Sequence, residues 1–519
     1  MADPFYITTA INYPNGKPHI GHAYEAIAAD VIARFKRLQG HDVRFQTGTD
    51  EHGLKMAQKA RELGITPAQL VDDMSHYFIG MCGKLDVEYD MFLRTTEPRH
   101  HAASQELWRR MAASGDLYLD HYEGWYSVRD EAYYDESELT EGEGEEKLSP
   151  QGTPVEWTVE ESWFFRLSKY TEPLLAHYRD NPDFIRPESR RNEVLRFVEG
   201  GLRDLSVSRT SFDWGVKVPG SDEHVMYVWV DALTNYLTGL GFPDDTAEMR
   251  KWWPADVHLI GKDIVRFHTV YWPAFLMSAG IALPKQVFGH GFLLNRGQKE
   301  SKSLGNVTDP MELADRFGVD ALRYFLLREI AFGQDGSYSA EAIVTRTNAE
   351  LANSFGNLAQ RVLSMIFKNM DGELRDLDTA KADLEIARNV RANIGSMQTS
   401  FGHLAFSDGL QNWMNAIFAC NQYVDEQAPW TLRKTDPERM AAVLMTLFRC
   451  VHDLAIAIQP VVPASAGKLL DQIGIEPDAR DFAALDDEGW FKRLAASGFR
   501  LSQPAGVFPR LELPAGEPA

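Results

Sequence analysis

Apolar positions change their period three times along the chain, and each change marks a change of architecture. Phe5–Ala10 is a short apolar-rich run that reads as a buried strand. Turn formers follow in Asn12-Tyr13-Pro14-Asn15-Gly16-Lys17-Pro18. Gly21–Gln39 then reads as a helix stopped by Gly40, because Ile27, Val31, Phe35 and Leu38 recur at spacings of 4, 4 and 3. Asp42–Thr47 is a second strand. Strand, loop, helix, strand predicts a right-handed βαβ unit in a parallel sheet.

Residues from about 116 to 225 break that rhythm with acidic, aromatic and Gly/Pro-punctuated sequence. They read as an insertion into an α/β domain. The α/β pattern resumes at Met226–Val230, Val257–Ile260 and Val287–Leu294. From about 345 the period becomes helical over long stretches, with Leu351, Phe355, Leu358 and Val362 at spacings of 4, 3 and 4. The expected organisation is 1–115, first half of the α/β domain; 116–225, insertion; 226–344, second half; and 345–519, an all-α domain. The tail after Leu511 is Pro/Gly-rich and is expected to fray.

With 519 residues the chain is too long for a single core. Its 44% hydrophobic and 25% charged residues are ordinary for a soluble enzyme. The net charge of −22 argues against a diffuse basic surface for nucleic acid, though not against a local track. Residues 121–150 alone hold ten Asp/Glu against two Lys/Arg, a solvated acidic insert. No uninterrupted apolar run approaches the ~20 residues of a membrane span, so no membrane partner is expected. The N-terminus has neither a basic signal region nor an Arg/Ser-rich presequence, which leads to the expectation of a cytoplasmic location. Cys82, Cys420 and Cys450 lie far apart, so neither a disulfide framework nor a cysteine-ligated zinc site is expected.

Two motifs carry candidate chemistry. His19-Ile20-Gly21-His22 falls between the first strand and its helix. A helix N-terminus offers unpaired N–H groups and partial positive charge to a phosphate, and Gly21 allows close approach. The blander reading is a pair of capping or surface histidines. Lys299-Glu300-Ser301-Lys302-Ser303 is flanked by Gly297 and Gly305, which suits a mobile loop whose lysines and serines reach phosphates. Alone, it reads as a solvated lysine loop. Together, in this order and separation, the motifs resemble the HIGH and KMSKS signatures of class I aminoacyl-tRNA synthetases. Glu300 departs from the apolar residue usual there.

Trp229, Ala232, Leu233 and Tyr236 share one helical face by spacing, as do Ile264, His268 and Trp272. Such faces are ordinary core in most proteins. Here the wording YVWVDALTNY, HLIGKDIVRFHTVYWPA and AINYPNGKPHIGH resembles the methionyl-tRNA synthetase family, over nearly the whole chain. The resemblance implies a Rossmann-type class I catalytic domain with a connective insertion, followed by an all-α anticodon-binding domain. It implies a methionine site of Ile11, Tyr13, Asp50, Trp229, Ala232, Leu233, Tyr236, Ile264, His268 and Trp272, with Asp50 holding the substrate ammonium. Proline also occurs in the family at the position of Leu233. An apolar, aromatic pocket suits a thioether side chain.

The same resemblance implies an ATP site of His19, Gly21, His22, Asp263, Lys299, Ser301 and Lys302. His19, His22, Lys299 and Lys302 would stabilise the transition state, with Mg²⁺ brought by ATP. Asn357, Arg361 and Trp430 match the family's readers of the CAU anticodon, so tRNA(Met), the initiator included, is the expected partner. Many family members carry four-cysteine zinc knuckles in the insertion. The equivalent stretch YEGWYSVRDEAYYDESEL has no cysteine and resembles the zinc-free branch, so no protein-bound metal is expected. Some relatives dimerise through an appended C-terminal domain absent from this sequence, so a monomer is expected. Three other readings compete. A synthetase for leucine, isoleucine, valine or cysteine would show an editing insert or a cysteine-bound zinc pocket. A tRNA-binding module without activity would not need intact signatures. A small nucleotidyltransferase would not need the helical domain.

Overall fold

The computed structural model describes residues 2–130, 132–142, 144, 146–295, 297–299, 308–377, 381–487 and 489–513, without the side chains of 122, 132, 160, 298, 299, 381 and 382. Six parallel strands make the central sheet: β1 (Pro4–Thr9), β2 (Asp42–Thr49), β3 (Met91–Arg94), β4 (Ile185–Arg186), β5 (Val257–Gly261) and β6 (Val287–His290). Their order is β3-β2-β1-β5-β6-β4. The βαβ unit closes as its periodicity requires. Helix α1 (Ile20–Leu38) buries Ile27, Val31 and Phe35, while Leu38 is half-buried at its end. Each such buried side chain is worth about 1.5–3 kcal/mol relative to exposure.

Two expected strands are corrected. Met226–Val230 divides into a two-residue strand, Val225–Met226, and the start of a helix. Val287–Leu294 divides into β6 and a separate strand, Leu293–Asn295, which pairs with Gly336–Tyr338. The edge strand β4 comes from within 116–225, the segment read as insertion. Before it, residues 117–165 build a separate antiparallel sheet, which Leu205–Ser206 joins, and helices Thr171–Asp180 and Glu188–Glu199 flank β4 in sequence. The long hairpin of that sheet, Leu117–Ser127 with Pro154–Phe165, is in register from Leu117 opposite Phe165 to Tyr126 opposite Glu156.

Helix α2 (Pro98–Ala113) packs on α3 (Val228–Thr238), and α3 meets the central sheet where Tyr236 stacks on His258 at 4.1 Å. The C-terminal region stacks α4 (Asn357–Met370), α5 (Lys381–Gly402), α6 (Phe406–Gln427) and α7 (Pro437–Ile458). By length and mean composition α7 is apolar enough to cross a bilayer, although Arg449 and Asp453 interrupt its apolar run. Its most apolar window is 94% buried among the other helices, the setting that makes a helix apolar all round. The two cores are continuous. Phe35 of α1 meets Phe401 and Phe482 edge-on, each at 5.6 Å. The fully buried Arg323 fastens the junction. Its guanidinium donates to Asp30 of α1 at 2.6 Å, to the Leu85 carbonyl at 3.1 Å, and to the Pro460 and Val461 carbonyls at 2.9 and 3.0 Å. A buried guanidinium is tolerated only when its donors are met in this way.

Candidate functional site

The strand order reverses between β1 and β5, and ligands of open α/β sheets bind outside the carboxyl ends of strands at such a point. A cavity of about 420 Å³ opens there. It brings together Ile11, Tyr13, His19, Gly21, His22, Asp50, Trp229, Asp263 and Ile264 from the sequence-derived set. It also takes in Asn12, Glu25, Arg129, Asp130 and His290, which that set lacks.

His19 is the N-cap of α1. The Gly21 N–H donates to His19 Nδ1 at 3.1 Å, and the His19 N–H donates to His22 Nδ1 at 3.0 Å. The two rings lie 3.8 Å apart. Capping and function are therefore not alternatives here. When Nδ1 accepts, the neutral ring carries its proton on Nε2, and that N–H is the donor left to meet an anion. Gly21 is required by this arrangement, since a Cβ at that position would come within 2.9 Å of the His19 ring.

Asp50 ends β2. Its backbone N–H donates to the Asn12 carbonyl at 2.8 Å, and the Asn12 N–H donates to the Gly48 carbonyl at 2.8 Å. The loop carrying Ile11 and Tyr13 is thus laced to the strand carrying Asp50. A buried cluster fixes the facing helix. The Asp231 carboxylate of α3 is bonded by His52 Nδ1 and by His100 Nε2 of α2, both at 2.7 Å. Burial alone would raise the Asp231 carboxyl, but the two imidazoles offset this and hold it well below the usual carboxylate range. Asp231 follows Trp229 by two residues, so the cluster locks the aromatic wall of the cavity against the end of β2.

The remaining residues of the expected methionine set do not line the open cavity. Ala232, Leu233, Tyr236, His268 and Trp272 are all buried, with His268 and Trp272 in the segment that follows Ile264. Tyr236 Oη lies 2.7 Å from His268 Nε2, and His268 Nδ1 lies 3.0 Å from the Ile264 carbonyl. A carbonyl accepts only, so Nδ1–H donates to it and Nε2 accepts from the tyrosine. Burial lowers the His268 imidazole to about 4, so it is neutral at physiological pH. The π-helical turn Phe267–Tyr271 shifts the register after Ile264 and seats Phe267 face to face with Trp229 at 3.9 Å.

Glu25 and His290 were missed by the sequence reading because 265 residues separate them. His290 Nε2 lies 2.8 Å from Glu25 Oε2. Burial would lower the His290 imidazole, but Glu25 overrides it and holds it above the ordinary value, while burial raises the Glu25 carboxyl. The one available signal was Glu25 standing three residues after His22, on the same helix face. Lys299 is placed by backbone alone, paired with Leu294 in a short hairpin. Its side chain, Glu300, Ser301 and Lys302 lie outside the described residues. Among the described residues no group of three or more His, Cys, Asp or Glu is placed to hold a metal ion.

A second candidate site lies on the helical region. Asn357, Arg361, Gln360, Lys368 and Arg433 line a surface cavity of about 360 Å³. Arg361 bonds Asp425 at 3.1 Å and sits 5.9 Å from the centre of the Trp430 ring. Trp430 is 51% exposed, an unusual state for so large an apolar side chain.

Comparison with known proteins places the two regions of the chain in one family. Residues 5–363 match the family model described as tRNA synthetases class I (M), and residues 376–513 match the anticodon binding domain of methionyl tRNA ligase. The methionine–tRNA ligase of Rhizobium meliloti is 57% identical over 519 residues, covering 98% of this chain and 99% of that protein. That of Mycobacterium tuberculosis is 56% identical over 517 residues, covering 98% of each. The solved Mycobacterium tuberculosis methionyl-tRNA synthetase in complex with methionyl-adenylate superposes with a TM-score of 0.93 at 55% identity, over 98% of this chain and all of that one. Its apo form gives 0.87 at 52% identity, over 99% of each. With both halves matched and nearly the whole length aligned, the chain belongs to the methionyl-tRNA synthetase family of class I aminoacyl-tRNA synthetases.

Proposed function

We propose that the protein joins methionine to ATP as methionyl-adenylate and passes the methionyl group to the 3′-terminal adenosine of tRNA(Met), the initiator included. The observation that carries this reading is the cavity at the strand-order reversal, where paired histidines at a helix N-terminus face the same space as Asp50 and Trp229. The methionine carboxylate attacks the α-phosphorus of ATP. The bond to the bridging oxygen breaks and pyrophosphate leaves. A ribose hydroxyl of the tRNA then attacks the adenylate carbonyl, releasing AMP. Such chemistry asks mainly for positioning and charge stabilisation.

His19 and His22 supply Nε2–H donors at the phosphates, joined by Lys299, Ser301 and Lys302 and by Mg²⁺ arriving with ATP. Gly21 and Asp263 receive the nucleotide, with Asp263 at its ribose. Asp50 holds the ammonium. Ile11, Tyr13, Trp229 and Ile264 meet the methionine side chain, and Ala232, Leu233, Tyr236, His268 and Trp272 form the wall behind them. Asn357, Arg361 and Trp430 read the anticodon, by stacking and hydrogen bonds to unstacked bases. Residues 1–115 and 226–344 form the catalytic domain, 116–225 the insertion and 345–519 the anticodon-binding domain.

ATP–pyrophosphate exchange with each amino acid in turn tests the reading. Methionine alone is expected to support exchange; strong exchange with another amino acid, or none, overturns it. We further infer a cytoplasmic monomer without structural zinc. Light scattering at micromolar concentration should give one chain mass, and chelator-treated active protein should hold no stoichiometric zinc.

A further inference from the structure

The insertion reaches the catalytic cavity through two neighbouring residues of one turn, Arg129 and Asp130. Asp130 is held by a cluster of hydroxyls. Its Oδ2 accepts from Ser149 Oγ and Thr153 Oγ1, each at 2.6 Å, and from Tyr134 Oη at 3.0 Å. Ser127 Oγ closes the cluster, 2.6 Å from Thr153 Oγ1 and accepting from the Asp130 N–H at 3.2 Å. Ser127, Ser149 and Thr153 are buried. Four side chains from two turns, spaced by three and by four residues, converge here as the four thiolates of a zinc knuckle would. Hydrogen bonds do the tying instead.

That construction fixes the turn, and with it the backbone of Arg129. Among the described residues no carboxylate pairs with the Arg129 guanidinium, and it is the one Lys or Arg lining the cavity. The other charged liners are Glu25, Asp50, Asp130 and Asp263, a strongly acidic wall for a site that must admit polyanions. The Asp130 carboxylate is already engaged by three hydroxyls. A guanidinium presents a planar fork of donors suited to phosphate oxygens.

We propose that Arg129 is a substrate-binding residue of the catalytic cavity, delivered by the insertion and anchored through the Asp130 cluster, and that its ligand is a phosphate group. The inference rests on the reading of the cavity as the adenylate-forming site. The phosphate belongs either to ATP or to the terminal phosphodiester of the incoming tRNA.

The test uses Arg129→Gln and Arg129→Lys in the full chain, beside the parent protein. Arg129 is exposed, so melting temperatures should match the parent's. If the ligand is ATP, Arg129→Gln raises the KM for ATP in pyrophosphate exchange by about ten-fold or more, with the KM for methionine unchanged. If it is the tRNA phosphodiester, exchange stays within about two-fold while single-turnover transfer from preformed methionyl-adenylate slows about ten-fold or more. In either case Arg129→Lys recovers part of the loss, because a point charge replaces the fork. Exchange and transfer both within about two-fold of the parent overturn the proposal, as does a loss accompanied by a lowered melting temperature. Failure of the parent protein itself to exchange with methionine would instead sink the reading of the cavity.

Discussion

Trp272 and Trp430 occupy opposite environments. Trp272 is fully buried behind the catalytic cavity, within 6.1 Å of the Tyr236 ring and 6.3 Å of Trp253. Trp430 is half exposed on the helical region, with Arg361 above it and a shallow cavity beside it. The first setting suits a small apolar ligand, because a dry, packed wall is shaped before the ligand arrives and loses little entropy on binding. The second suits a base turned out of a loop, because a π-face must stay open to be stacked upon. Substitutions on the catalytic side should therefore act on amino-acid activation, and those on the helical side on the choice of RNA. That separation can be broken by experiment.

The largest effect is expected at the catalytic loop. Lys302→Ala should slow adenylate formation about 10²- to 10³-fold while changing methionine affinity little, since its charge matters most as pyrophosphate leaves. Equal losses in rate and affinity would remove Lys302 from the transition state. Next comes Asp50→Asn. It should raise the KM for methionine roughly ten- to a hundred-fold, the value of a charge-assisted bond in a poorly hydrated site, and leave anticodon discrimination unchanged. A shift in tRNA preference would mean the two sides are not separate.

Trp430→Ala tests the other side. Loss of a base–aromatic stack is worth about 1–3 kcal/mol, so aminoacylation should weaken roughly ten- to a hundred-fold while methionine-dependent exchange stays intact. An altered-anticodon tRNA should be rejected less well by the variant than by the parent protein. Loss of exchange as well would make Trp430 a structural residue after all. Arg361→Ala should act in the same direction but less. Arg361 already spends one hydrogen bond on Asp425, and the pair is exposed. A flatter salt dependence of aminoacylation in this variant would identify a phosphate contact; an unchanged slope would leave only base recognition.

The elements were legible where one period governed a whole segment. The 3.6-residue spacing of Ile27, Val31 and Phe35 fixed α1 because one face is buried and the other is not. Val228–Val230 misled because a short apolar run does not distinguish strand from buried helix, and α3 is buried nearly all round. α7 escaped notice as a span-like helix because Arg449 and Asp453 interrupt its apolar run, which the surrounding helices nonetheless enclose. The candidate site was legible only as far as residues stand together in sequence. Paired histidines three positions apart are visible in one motif. The Asp231 carboxylate joins partners 179 and 131 residues away, and Glu25 joins one 265 away. No periodicity reports on such pairs. Arg129 looked like one of two cations in a solvated acidic run, and only the placement of the insertion's turn brings it to the cavity.

The smallest effect is a deliberate near-absence, and it concerns His268. An ordinary histidine near 6.5 would change charge across the physiological range. Burial lowers His268 to about 4, and its neutral Nε2 accepts the hydrogen bond of Tyr236. Methionine binding should therefore show no titration of His268 between pH 6 and 8. Stability should respond at lower pH. Between about 6.5 and about 4 the unfolded chain takes up a proton that the folded protein refuses, so the unfolded state binds more protons and stability falls as pH falls. Above about 6.5 both states are neutral and the contribution is flat. His258, buried beside it and lowered by burial and by His268, acts in the same direction. Across the whole window His268 alone accounts for a loss on the order of 3 kcal/mol. Melting temperatures of the parent protein and of His268→Gln, measured from pH 7.5 to 4.5, check this. The variant should start less stable at neutral pH, because the bond to Tyr236 is disturbed, and then decline less steeply on acidification. Parallel declines would mean that His268 keeps an ordinary proton affinity. The wall behind the cavity would then titrate in the same range as the exposed histidines, and the contrast between its dry packing and the open face around Trp430 would fail at its most buried polar group.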